Sequence, residues 1–81
     1  MESRFLVIRC KDGRYVKKVS NPYSTYLAYT NSMEDAAKYR DGDTESAKHD
    51  IKWFTDTHKR VTAADFDIVC FAAKYKEIKE E

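Results

Sequence analysis

Two histidines and two cysteines are the side chains with the most obvious chemistry, and zinc is the ion they suggest. The spacing argues against it. His49 and His58 lie nine positions apart on one expected helix. Nine helical steps turn through about 900°, so the two rings point to opposite sides. No Cys-x-x-Cys pair exists, and Cys10 and Cys70 each end an apolar alternation, where a buried thiol is the plain expectation. Arg9 and Lys11 flank Cys10, which keeps a reactive thiol open there. Asp41-Gly42-Asp43-Thr44-Glu45 resembles the start of a calcium loop. Such a loop needs Gly at its sixth position and Glu at its twelfth, and this chain has Ser46 and Lys52. No phosphate-binding Gly loop, Gly-x-Ser-x-Gly or His-Glu-x-x-His is present. The expectation is a protein that is not an enzyme, with no cofactor and no metal.

Two binding chemistries remain. Arg14, Tyr15, Lys17, Lys18 and Tyr26 interleave cations and aromatics at the front of the chain. Such a surface can stack bases and neutralise phosphates. The first 31 residues hold six Lys/Arg against two Asp/Glu and the remainder nine against twelve, so any positive patch belongs to this front. The total is only +1, whereas nucleic-acid binders are usually basic. Tyrosines are also ordinary strand residues, and edge lysines ordinary protection. The second chemistry is protein binding. Trp53 falls well away from the apolar stripe of its helix and close to His49. It is either an interface anchor or covered by residues 33–39 or by the tail around Ile78.

These residues need a frame. Phe5, Val7 and Arg9 alternate with Leu6, Ile8 and Cys10, which predicts a strand over Arg4–Cys10. Asp12-Gly13 then reads as the centre of a type I′ hairpin turn. Tyr15–Val19 is the return strand and Thr25–Thr30 a third. Ser32 with Asp35 predicts a short helix over Met33–Tyr39. A turn follows at residues 40–43, and Thr44 is the expected cap of a long helix over Glu45–Lys59. Its stripe is Ala47, Ile51, Phe54 and His58. Phe66–Ala73 is a closing strand, open to extension through Tyr75, with Phe66, Ile68, Cys70 and Ala72 on one face and Val69, Phe71 and Ala73 on the other; a helix from Thr62 onward is the alternative. A frayed or helical tail is expected beyond it, from about residue 76. The fold class is α+β, in the order β-β-β-short α-α-β. A small antiparallel sheet of three to four strands carries one long helix on one face.

That frame leaves a mismatch. The first and last strands are apolar on both faces, and one helix covers only one. The second face, with Val69 and Phe71, therefore calls for a partner or a second copy of the chain. Trp53, His49, Val69 and Phe71 are the expected protein-binding residues.

The sequence also resembles small, mostly uncharacterised proteins encoded by phages and prophages of low-GC Gram-positive bacteria. Phe5-Leu6-Val7-Ile8-Arg9, Lys11-Asp12-Gly13-Arg14-Tyr15-Val16, Tyr29-Thr30-Asn31, Ala36-Ala37-Lys38-Tyr39, Thr44-x-x-Ala47 and Phe66-Asp67-Ile68-Val69 carry the likeness. It implies a hairpin, third strand, helix and closing strand, and no catalytic motif. The expected function is that of a phage accessory protein acting by protein–protein binding, through a partner or a homodimer. Nucleic-acid binding through the hairpin is the alternative. Length bounds the whole at one domain over residues 1–81. No apolar run reaches membrane-spanning length, and the start lacks a signal-peptide pattern, so the expected site of action is the cytoplasm.

Overall fold

The computed structural model describes residues 3–58, 60–72 and 76–78. Among the described residues, six strands form one antiparallel sheet with a single α-helix against it, an α+β arrangement. The strands are β1 (Arg4–Cys10), β2 (Tyr15–Ser20), β3 (Thr25–Thr30), β4 (Tyr39–Arg40), β5 (Phe66–Ala72) and β6 (Lys76–Ile78). The helix α1 spans Thr44–Thr57. The sheet order is β3-β2-β1-β5-β6, and β4 pairs with β1 beside that path.

The long central ladder joins β1 to β5 residue by residue, from Arg4 opposite Ala72 to Cys10 opposite Phe66. Both strands are apolar on both faces because they lie in the middle of the sheet, with layers above and below. Leu6, Ile8, Cys10, Phe66 and Cys70 face α1 and join Ala47, Ile51 and Phe54 in the main core. Phe54 is its centre, edge-on to both Tyr29 and Phe66 at 5.3 Å. His58 ends the helix stripe outside this core, exposed, with its ring stacked on Phe54 at 4.2 Å.

The second face is closed by the chain itself, which overturns the expectation of an uncovered sheet. Val7, Val69 and Phe71 are buried with Ala36, and Met33, Phe5 and Tyr15 pack against them. Phe71 stacks on Phe5 and meets Tyr15 edge-on, each at 6.2 Å.

The cover is not the expected helix over Met33–Tyr39. Asp35 and Ala36 donate to the carbonyls of Ser32 and Met33, which makes a turn that goes no further. In a helix the Ala37 amide would donate to Met33; here it donates to Val16 of β2 at 3.0 Å. The Lys38 ammonium takes the Met33 carbonyl instead, and those of Glu34 and Ala36. Tyr39 and Arg40 then pair with Leu6 and Phe5 of β1. The chain passes from the outer face to the helix face through the opening between β1 and β2, and β4 fills that opening. β4 here and β6 beyond β5 are the two strands that take the sheet from the expected four to six.

Three local expectations also change. The first hairpin has a three-residue loop, not a two-residue type I′ turn. Gly13 donates to the Cys10 carbonyl and Cys10 to that of Arg14, so Lys11, Asp12 and Gly13 form the loop. Gly13 has φ +92°, the left-handed residue such a loop requires. The helix cap is Asp43, not Thr44. One Asp43 carboxylate oxygen accepts from the Ser46 amide at 3.2 Å and the other from the Ser46 hydroxyl at 2.8 Å. Beyond β5, Lys76–Ile78 is a strand paired with β5, where a frayed or helical tail was the expectation. Lys59, Ala73, Tyr75 and residues 79–81 lie outside the described residues.

Candidate functional site

The helix face of α1 that meets β2 and β4 carries Ser46, His49, Asp50 and Trp53, one helical side at spacings of three and four. Opposite stand Lys18 of β2, Tyr39 and Arg40 of β4, and Lys38 before them. Together with Asp43 and Glu45 these residues line an open groove of about 730 Å³.

Its floor is a buried carboxylate. Asp50 is 5% exposed and is the one charged side chain in the core among the described residues. The Tyr39 hydroxyl donates to Asp50 at 2.6 Å, and the Lys18 ammonium reaches the same oxygen at 3.0 Å. His49 Nδ1 lies 3.5 Å from the other oxygen, with its ring in solvent. Burial pushes the Asp50 carboxyl up, but the hydrogen bonds from Tyr39 and Lys18 and the Lys18 charge outweigh it, so the group stays below the usual carboxylate range. Burial, then the bond to Asp50, holds the Tyr39 phenol protonated far above its ordinary range. A charge is thus kept ionised inside the protein because two strands bring donors to it.

Neither Asp50 nor Tyr39 was among the residues expected to matter. A signal existed. Ala47, Asp50, Ile51 and Phe54 share one helical stripe, and a carboxylate on an apolar stripe must find buried partners.

The expected protein-binding residues separate. Trp53 is half-buried against the main core, and His49 stands exposed beside it on the groove. Val69 and Phe71 are buried on the other side of the sheet. They offer no surface to a partner.

The expected nucleic-acid residues separate too. Val16 and Leu27 lie in the main core, so Lys18 and Arg14 share the helix face, while Tyr15, Lys17 and Tyr26 project from the outer face. Lys18 is paired with Asp50. Arg14 pairs with Asp12 at 2.7 Å and lies over the Tyr29 ring at 4.2 Å. Among the described residues, the exposed large apolar side chains are Tyr23, at 96%, and Tyr26, at 47%.

Cys10 is buried, and desolvation, with Asp12 adding to it, pushes its thiol up to about 11. Arg9 turns to Glu77 at 2.7 Å, and the positive charge that does act on the thiol, Arg14, is outweighed by desolvation. Among the described residues, no three His, Cys, Asp or Glu side chains come together as metal ligands would. No helix among them is long and apolar enough to cross a membrane. Set against known proteins, the chain matches no family model, no curated sequence and no solved structure.

Proposed function

We propose that this chain is a binding module whose partner is another protein. The observation that carries the reading is the groove between β2, β4 and α1, with Trp53 in its wall and His49 exposed beside it. A tryptophan held by the core but still reachable from solvent is a pre-ordered anchor, and such residues dominate interface energetics. The Asp50 network fixes the floor beneath it. The resemblance to phage and prophage proteins adds a setting by analogy alone: antagonism of host defence, or host takeover, in the host cytoplasm.

The test is site-specific photo-crosslinking in cells that carry the gene. A photoreactive side chain replaces His49 in one variant and Lys11, on the far hairpin, in another. The expected result is a discrete crosslinked protein from the His49 position only. Equal capture from both positions, or none from His49, removes the groove from consideration.

Nucleic-acid binding is the second reading. It draws support from Tyr23 and Tyr26, which are exposed, and from half-buried Lys17, which shares the outer face with Tyr26. Binding through phosphates weakens steeply with salt. Fluorescence anisotropy with single-stranded DNA and RNA at low and physiological salt separates this reading from the first.

A further inference from the structure

β3 is an edge strand without protection. Among the described residues it pairs with β2 alone. It spans Thr25–Thr30 in unbroken register, so no bulge turns its outer side away. Thr-Tyr-Leu-Ala-Tyr-Thr contains no charge and no proline, whereas every other strand described carries at least one charged residue. The opposite edge, Lys-Glu-Ile, is half as long and charged. An edge strand presents alternate N–H and C=O groups outward, and natural proteins normally blunt such an edge with the devices missing here.

The geometry points to a second copy of this chain as the occupant of the β3 edge, paired antiparallel through a two-fold axis at Leu27 so that one sheet runs through both copies. The strand's own pattern selects this occupant. A two-fold perpendicular to the sheet keeps both helices on one side and sets residues of the same face opposite each other. With Leu27 on the axis, Leu27 meets Leu27 of the second copy on the helix face, and Thr25 meets Tyr29. On the outer face the large Tyr26 meets the small Ala28, twice, so bulk falls against space. No charge meets a like charge. The helix packs over β1, β4 and β5 and touches β3 through Phe54 on the Tyr29 ring, while the outer hydrogen-bonding edge of β3 stays open to a second sheet. A formal net charge of +1 adds little repulsion between copies. This deepens the protein-binding reading by naming a partner, but it uses a surface distinct from the Trp53 groove, so failure of the crosslinking experiment leaves it standing.

The test exploits the outer-face pairs, which lie on the surface and not in the core. Sedimentation of the full chain across about 1 to 200 µM should show a dimer that grows with concentration, as mass action requires. Tyr26→Lys with Ala28→Lys sets two ammonium groups opposite each other at both symmetric contacts. The expected effect is a dimer Kd weakened about tenfold or more. Tyr26→Lys with Ala28→Glu sets opposite charges at the same two contacts and should restore the dimer. Circular dichroism and thermal midpoints of both variants report that the monomer is still folded. A wild-type chain that stays monomeric throughout that range overturns the proposal. So does a Lys/Lys variant that dimerises as tightly as wild type, or a folded Lys/Glu variant that fails to recover.

Discussion

The Tyr39 hydroxyl donates to the Asp50 carboxylate at 2.6 Å, and this bond ties the strand that fills the sheet's opening to the helix that covers it. Lys18 completes the tie from β2 at 3.0 Å. A two-residue strand has little hold of its own. Tyr39→Phe keeps the ring and removes the donor. It should cost about 1.5–3 kcal/mol, the range for a hydrogen bond to a charged group. Denaturant midpoints for Tyr39→Phe, Asp50→Asn and the double variant give the coupling directly. Additive effects would show that the bond does not hold the two elements together.

Acid should loosen the same tie. Asp50 titrates below its ordinary value in the folded chain, so the unfolded chain binds its proton first as pH falls. The stabilisation is complete above the unfolded value of about 3.9 and is lost as pH falls toward the folded one. Asp43 and Asp12 are also lowered, by hydrogen bonds from Ser46 and Arg14, and they contribute in the same direction. Asp50→Asn should therefore flatten the acid limb of the stability–pH curve without abolishing it. Unfolding free energies between about pH 5 and 2 check this, and an unchanged slope would contradict it.

Cys10 should be an unreactive thiol. With its pKa pushed up to about 11, the thiolate fraction at pH 8 falls about a hundredfold against an exposed cysteine. In a Cys70→Ala background, alkylation of the folded chain should lag the denatured chain by at least that factor. The same shift predicts that stability contributed by the protonated thiol fades as pH rises from about 8.5 toward 11. Comparable alkylation rates in the two states would show that Cys10 is accessible and ionised.

Gly13 tests the first hairpin. A Cβ built there meets nothing within 4 Å, so the space is free and the restriction is backbone alone. Gly13→Val places a β-branched residue at positive φ and should cost about 1–2 kcal/mol. Gly13→Asn, a residue that tolerates this region, should cost clearly less. Thermal midpoints that do not separate the two variants would argue that the loop rearranges freely.

Ile51 tests the helix–sheet contact. It is buried against the main core one helical turn from Ala47 and Phe54. Ile51→Ala should cost about 2–5 kcal/mol, a large share of the total for so small a chain. An unmoved denaturation midpoint would place Ile51 outside the packing.

The regular elements were legible because their periodicity is local. Alternation marked β1, β2, β3 and β5 and both faces of each central strand, and the Ala47, Ile51, Phe54 stripe marked the buried side of α1. What could not be read was decided by distant partners. Residues 33–40 have enough helical character for one turn, but the Ala37 amide finds Val16 and Tyr39 finds both Leu6 and Asp50. Nothing within the segment encodes those meetings. The uncovered face was misjudged for the same reason. Met33 and Ala36 are small as helix residues but sufficient as a strap laid over Val7, Val69 and Phe71. Of the groove, Trp53 and His49 were legible from helical angle, while Asp50 was hidden by treating the apolar stripe as only apolar.

The β1–β5 ladder carries a kinetic consequence. It joins the first strand to the fifth, so its loop closes only after β2, β3, β4 and α1 have been synthesised. Contacts of such long sequence separation slow folding, because the entropy of closure is lost before the contacts form. The β2–β3 hairpin closes locally and can form early. A nascent chain on the ribosome would therefore hold the hairpin while Phe5, Leu6, Val7 and Ile8 wait without their partner strand. Emergence of β5 from the exit tunnel becomes the step that commits the protein to its fold. Truncation before Phe66 should yield a chain that chaperones retain.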